Sequence, residues 1–318
     1  MIPALVLTAG LATRLRPLSL VRAKAAFPVA GDPLVRRILR WLAGYGVTDA
    51  VLNLHHLPHT ITGVIGDGAD VGVRVRYSWE MPVLGSAGGP RHALPLVGAS
   101  PFLIVNGDTL TDVDVAALVA DHRQSGALVT MAVVPNAEPG KYSGLAVDDD
   151  GAVTGVVLRG SSQPSYHFVG VQVAEAKAFA SLPDNVPSES VRERYPALIA
   201  ERRGSVRASV TSAEFFDIGT AEDYFRTSLL LSARDPRRRM GERVQLDPQA
   251  TIVDSIVWDD VQLEANVRLH RCVVTDGVRV PAGSSWENLT MRVAGGELAP
   301  GEQIIDGLAV GALRSDAL

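Results

Sequence analysis

The sequence predicts an α/β protein: a Rossmann-like mixed sheet flanked by helices, followed by a short parallel β-helix. Three observations carry this. From Met1 to about Leu231, short apolar runs alternate with amphipathic helical patterns. After a polar linker at Ser232–Glu242, small or apolar residues recur at an almost regular six-residue step. A chain of 318 residues is also long enough for one large core and a smaller one. The expected domains are 1–232 and 243–318.

The runs Ile2–Leu7, Ala50–Leu54, Val71–Tyr77, Phe102–Val105 and Leu128–Val134 read as buried strands. Asp32 reads as an N-cap with Pro33 at the first helical position. Leu34, Val35, Ile38, Leu39 and Leu42 then follow at helical spacing, and Gly44 and Gly46 end the run. Val113–Gln124 reads as a second helix. Between Ser143 and Val173 the pattern turns to hairpins, with Asp150-Gly151 as a turn. Helices at Val191–Glu201 and Ala221–Ser232 close the domain. In the tail the step runs Val244, Ala250, Ile256, then Val261, Val267, Val273, then Val278, one residue short at each corner. About two coils are expected, fewer than a solenoid needs to stand alone, so the tail should dock on the main domain or on another subunit of a homo-oligomer.

Composition narrows the function classes. With 47% hydrophobic and 20% charged residues the chain is an ordinary globular one. A net charge of -5 gives no footprint for nucleic acid, and the single basic run, Arg237 to Arg239, falls in the linker. The lone Cys272 excludes an internal disulfide and fits a reducing compartment. No apolar stretch is long enough for a bilayer, and Met1–Leu7 reads as a first strand, not a signal peptide. A cytoplasmic location with no membrane partner is the expectation.

The strongest local signal follows the first strand: Leu7-Thr8-Ala9-Gly10-Leu11-Ala12-Thr13-Arg14-Leu15-Arg16-Pro17-Leu18, then Lys24-Ala25-Ala26-Phe27-Pro28-Val29. Ala9 and Gly10 let backbone N–H groups approach an anion. Arg14 and Arg16 present forked donors for phosphate oxygens, and Lys24 adds a mobile charge. The loop has neither G-x-G-x-x-G nor a G-K-[ST] ending, so neither a dinucleotide fold nor a Walker-type ATPase is indicated. Asn106-Gly107-Asp108 places a carboxylate just past a strand end, where α/β sheets hold ligands. Asp217, in Phe215-Phe216-Asp217-Ile218-Gly219-Thr220, precedes a helix. Taken alone, each aspartate reads as a turn or capping residue.

In these motifs the chain resembles the sugar-1-phosphate nucleotidyltransferase (NDP-sugar pyrophosphorylase) family, which opens with A-G-x-x-T-R-L-x-P-L-[ST] and then K-x-x-x-P-V. The likeness continues through Leu84-Gly85-Ser86-Ala87-Gly88-Gly89, Asn106-Gly107-Asp108, Tyr142-Ser143-Gly144 and Phe216–Thr220. It extends to Asp254-Ser255-Ile256-Val257-Trp258, which is similar to the left-handed β-helix appended to many members. The resemblance implies a magnesium-dependent transfer of a nucleotidyl group from a nucleoside triphosphate to a sugar 1-phosphate. It implies Asp108 and Asp217 as Mg²⁺ ligands, Arg14 on the leaving pyrophosphate, and Lys24 near the α-phosphate and the sugar phosphate. It further implies Ala9, Gly10, Thr13, Arg14, Glu80, Gly85, Ser86, Ala87 and Gly88 at the nucleotide. Gly144 and Gly170 would line the sugar-phosphate side, joined by Arg159, which stands in Leu158-Arg159-Gly160 where the family has E-K-P.

The Trp79–Gly88 segment is more similar to mannose-1-phosphate guanylyltransferases than to uridylyl- or thymidylyltransferases, which place a glutamine near Glu80. A carboxylate there is acceptor-only and suits the N–H donors of guanine. The competing class, a sugar-nucleotide sensor without activity, is opposed by the presence of Arg14, Lys24, Asp108 and Asp217 together. Acyl transfer by the tail lacks a catalytic histidine in a full repeat, His270 standing alone. Four further signals read as structural: a surface loop for His55, His56 and His59, a hairpin turn for Asp148–Gly151, packing for Trp258 and Trp286, and burial for Cys272.

Overall fold

The computed structural model describes residues 2–313. It resolves into two compact units. The first comprises Met1–Gly10, Arg36–Pro58 and Ile65–Phe216; the second comprises Leu11–Val35, His59–Val64 and Asp217–Leu318.

The first unit is built on a nine-stranded sheet. Its strands are β1 (Ala4–Leu7), β2 (Asp49–Leu54), β3 (Arg74–Trp79), β4 (Phe102–Asn106), β5 (Val129–Pro135), β6 (Gly144–Val147), β7 (Val153–Val157), β8 (Tyr166–Ala174) and β9 (Val206–Val210). They run in the order β7-β6-β8-β4-β1-β2-β3, with β5 also on β8 and β9 on β5. β1 pairs parallel with both β2 and β4, whereas β8 runs antiparallel to β4 and β5, so the sheet is mixed. Chain order moves from β1 outward to β2 and β3, then jumps to β4 on the other side of β1. That jump makes the β1/β4 crevice a topological switch point, where open α/β sheets hold ligands. Apolar side chains such as Leu5, Val51, Phe102, Ile104 and Met131 are fully buried and form the core beneath it.

The α-helices among the described residues are α1 (Leu34–Gly44), α2 (Pro58–Ile65), α3 (Gly85–Val97), α4 (Val115–Ser125), α5 (Lys177–Ala180), α6 (Tyr195–Glu201) and α7 (Ala221–Leu231). Asp114 caps α4 by accepting from the N–H of Ala117. Thr220 and Asp223 close a reciprocal capping box on α7. Three local expectations differ. Ala30 and Gly31 both take positive φ, so Pro28–Val29 and Asp32–Pro33 close a tight two-residue hairpin; Asp32 is extended and the helix begins at Leu34. Positive φ at Gly68 and Gly72 turns Ala69–Val71 into a 3₁₀ turn, which delays the strand to Arg74. Pro196 has no N–H to donate, and the expected single helix splits into a π turn at Ser190–Arg194 and α6.

In the second unit the tail forms a parallel β-helix with a seventeen-residue turn. Gln245 aligns with Gln262 and then Arg279, Thr251 with Arg268 and Ser285, Ile256 with Val273 and Thr290. Each of the three faces thus stacks three strands, one coil more than the spacing predicts. The short corner of each coil carries a left-handed residue, Asp260 where the step from Ile256 to Val261 drops to five and Gly277 where that from Val273 to Val278 does; left-handed Asp254, Arg271 and Asn288 mark a second corner of full length. The last coil is closed by Leu308–Ala312, antiparallel to Leu289–Val293. Beneath this closure the buried Arg292 and Glu302 pair at 2.7 Å, and Glu302 also accepts from the N–H of Ala299. Pairing with both hydrogen-bond capacity and charge satisfied is the condition under which such ions tolerate burial. Cys272 is buried in this unit, and burial raises its thiol above the ordinary value. Among the described residues no helix is long and apolar enough to cross a membrane.

Candidate active site

In the first unit the switch point is lined by backbone. Leu7 pairs with Asn106, so Thr8 leaves β1 beside the point where Gly107-Asp108 leaves β4. A Cβ on Gly107 would lie 2.5 Å from the Leu7 carbonyl oxygen and 2.8 Å from Thr8 Cγ2, so only glycine fits between the two strand ends. Gly170 sits in a β8 bulge at φ +82°, a conformation L side chains rarely adopt, and a Cβ there would be a tight 3.1 Å from Asn106 Cβ and Thr109 Oγ1. Thr8, Asp108 and Gly170 are therefore gathered on one side of this unit. Gly10 has nothing within 4 Å of where its side chain would be, leaving its backbone open.

Asn53 holds this loop, and sequence reading missed it. Its Oδ1 accepts from the N–H of Thr8 (2.6 Å) and Ala9 (3.3 Å), and its carbonyl accepts from the Thr8 hydroxyl (2.5 Å). Its Nδ2 donates to Glu80 Oε1 at 2.7 Å. The signal was an asparagine buried at the end of an apolar strand, which needs a partner for each polar atom. Glu80 is likewise turned inward, only 4% exposed, with Oε2 accepting from the N–H of Leu84 at 2.8 Å. Against the expectation that it faces a base, its carboxylate ties the β1 loop to the start of α3. The first turn of α3 is also engaged. The Ala87 and Gly88 N–H groups donate to the Ser188 carbonyl, and the Ser86 hydroxyl donates to Glu189 at 2.7 Å. Gly85 and Gly88 have no space for a Cβ beside Ser188 and Val186.

On the sugar side expected from sequence, Gly144 opens β6 against the Ser165 side chain, with no space for one of its own. Tyr142, His167 and Phe215 stack in succession, with ring centroids 4.2 and 4.9 Å apart. Burial holds the His167 imidazole below its usual pKa. Arg159 is exposed in the turn after β7. His55 donates to the Glu80 carbonyl through Nδ1–H at 2.9 Å, and among the described residues no cluster of three or more His, Cys, Asp or Glu is fit to hold a metal.

In the second unit Thr13 and Arg14 lie on a 3₁₀ turn, and Lys24 opens another. Gly219 is their counterpart on the segment before α7. A Cβ there would be 3.3 Å from Asp217 Oδ2, 3.4 Å from Asp223 Oδ2 and 3.6 Å from Arg14 Nη1, so two carboxylates and a guanidinium surround the glycine. Oxygen donors of this kind, few in number and with no imidazole or thiolate, suit a hard cation that completes its octahedron with phosphate oxygens and water. The half-buried Asp108 offers the same chemistry in the first unit, with the Thr109 hydroxyl on Oδ1 at 3.2 Å.

A mixed α/β sheet with an open backbone loop and a strand-end carboxylate at its switch point has the arrangement in which such sheets hold ligands. The chain belongs to the nucleotidyl transferase family, whose model matches residues 3–234, and a GlmU-like C-terminal hexapeptide model matches 237–286. The tail is accordingly a left-handed β-helix. Among curated proteins it is 29% identical to a mannose-1-phosphate guanylyltransferase of Mycobacterium tuberculosis over 89% of this chain and 82% of that one. It is 34% identical to an N-acetylmuramate alpha-1-phosphate uridylyltransferase of Neisseria meningitidis over 68% and 93% respectively. Among solved structures, HddC from Yersinia pseudotuberculosis, also solved with GMP-PN, superposes with a TM-score of 0.64 at 25% identity, over 73% of this chain and all of that one. Enzymes of this family are typically dependent on a divalent metal.

Proposed function

We propose that the protein transfers a nucleotidyl group to a sugar 1-phosphate and releases pyrophosphate, with GTP and mannose 1-phosphate as the preferred pair. The observation that carries the reaction class is the β1/β4 switch point, where Leu7 and Thr8 press on Gly107 and the open Gly10 backbone and Asp108 follow directly on the two paired strand ends. The sugar-phosphate oxygen attacks the α-phosphorus in line. It is already anionic, so no general base is needed, and positioning with charge stabilisation supplies the catalysis. The open backbone at Ala9 and Gly10 receives the triphosphate, and Thr13 is a further nucleotide-binding residue. Arg14 holds the departing pyrophosphate, and Lys24 the α-phosphate and the incoming phosphate. Gly144, Gly170 and Arg159 border the sugar phosphate. Asp108 and Asp217 are the residues that would hold magnesium, which when bound offsets phosphate charge.

Guanine is favoured by the guanylyltransferase relative and by the GMP-PN complex of the structural relative, and it no longer rests on Glu80. The 34% identical uridylyltransferase supports UTP as the second reading. The test is pyrophosphate release by the purified protein across GTP, UTP, dTTP, ATP and CTP with a panel of sugar 1-phosphates. A higher kcat/KM for UTP or dTTP would refute the base and leave the class standing; binding of a sugar nucleotide with no turnover on any pair would mark a sensor.

A further inference from the structure

Lys24 and Asp217 lie far apart in sequence, and in the second unit one tail residue touches the supports of both. Trp258, at the end of the first β-helix coil, is fully buried, as are Phe27 and Tyr224. Its ring centroid is 5.1 Å from that of Phe27, three residues after Lys24. It is 6.2 Å from that of Tyr224, at the end of the first turn of α7, whose capping box follows Asp217 and Gly219. The indole N–H donates to the Tyr224 hydroxyl at 2.8 Å, and that hydroxyl donates to the Pro28 carbonyl at 2.8 Å. On the other flank of Lys24, Arg22 stacks over the same indole at 5.2 Å. Its guanidinium grips Asp276 through two bonds of 2.6 Å and Asp259 through a third of 2.6 Å. Between these points the Ala23 N–H is held by the Thr60 hydroxyl at 3.0 Å.

We propose that Arg22, Trp258 and Asp276 are positioning residues for the transfer reaction, through which the β-helix sets the Lys24 segment against the α7 segment that carries Asp217. None of the three carries out chemistry. The geometry that points to this is the bracketing of Lys24: Arg22 is anchored on two successive coils, and Phe27 is wedged between α7 and the first coil. A purely stabilising tail needs apolar burial only. Here a forked, part-buried guanidinium meets two carboxylates and a ring, an arrangement whose value is orientation, since a planar fork fixes direction where a point charge does not. Misplacing a reacting group by about an ångström is enough to cost roughly 10²-fold in rate.

The proposal rests on Lys24 acting in the reaction, and a double-mutant cycle on the full-length protein separates the two claims. Single variants Arg22→Gln and Lys24→Ala and their combination are compared for kcat at saturating substrates, at a temperature where each is folded by circular dichroism. Arg22→Gln should lower kcat about tenfold alone and less than twofold in the Lys24→Ala background, because groups that act through one another are not additive. Arg22→Lys should recover part of the loss. Wild-type kcat in folded Arg22→Gln, or a loss that simply multiplies with that of Lys24→Ala, overturns the positioning role. If Lys24→Ala alone leaves kcat unchanged, the assignment of Lys24 falls instead. Should Arg22→Gln not fold, Asp276→Asn, which preserves shape and removes one anchor, takes its place in the cycle with the same outcomes.

Discussion

At the scale of single residues, the two aspartates are the sharpest test. Asp108→Asn and Asp217→Asn keep side-chain shape and remove charge, and each should reduce turnover by roughly 10²–10³-fold, the usual cost of losing a group that fixes transition-state charge. Wild-type turnover in either variant, with magnesium present, would rule that residue out. Arg14→Ala and Lys24→Ala should act mainly on kcat, by a factor on the order of 10², because their charges matter most as the α–β bond breaks. A change confined to KM would make them ground-state anchors. Two histidines give a pH signature. Burial lowers the pKa of His122, which bonds the Thr130 hydroxyl at 2.9 Å, and that of His167. The unfolded chain takes up protons near pH 6.5 where the folded state resists them. The stability they contribute is therefore complete above about pH 6.5 and is lost as the pH falls below it. The thermal midpoint should drop over that interval, and His122→Gln should flatten part of the drop.

Elements set which substitutions the site tolerates. Gly107→Ala forces a methyl group onto the Leu7 carbonyl and Thr8, so β1 and β4 must part at the switch point. Overpacking of this kind costs about 1–3 kcal/mol, and the loop ends it displaces are those proposed to receive the triphosphate. A lower thermal midpoint together with a raised KM for the triphosphate is expected. Gly10→Ala meets no atom within 4 Å and should leave the midpoint unchanged. Any effect it has belongs to the approach of phosphate to backbone, which a kinetic measurement on the same sample isolates. Equal destabilisation by both changes would mean that the crevice is not as tight as its backbone distances indicate.

For the whole molecule, the tail is the question. From sequence alone the catalytic candidates all precede Leu231, and a tail serving only stability or assembly is the natural reading. The packing of Phe27, Tyr224 and Trp258 changes that expectation. Truncation after Leu231 removes a fully buried indole and the partners of Arg22 at once. Deleting a buried aromatic side chain alone costs about 3–5 kcal/mol. The truncated protein should therefore melt earlier and turn over more slowly even where it is folded. Calorimetry, light scattering and steady-state rates on one preparation decide the matter. An unchanged midpoint with full turnover would return the tail to a dispensable appendage.

Much of this protein is written locally. Alternating apolar runs and helical spacing located five of the sheet strands to within a few residues, because burial of a strand between two helical layers demands a continuous apolar run. The six-residue step of the tail marked a β-helix, because each coil must turn a small or apolar side chain inward at a fixed interval. The small-residue loop after β1 and Asp108 after β4 were legible as motifs. What the sequence does not carry is partnership across distance. Asn53 looked like the end of a strand, Glu80 like a base reader, and Trp258 like generic packing. Their roles come from a buried relay from Thr8 to Leu84 in one case and from a cluster joining residues 22–28, 224 and 258 in the other. Hydrogen bonds and ring contacts between residues tens or hundreds of positions apart leave no periodic trace in the chain; only the closed tertiary structure chose which buried donor met which acceptor.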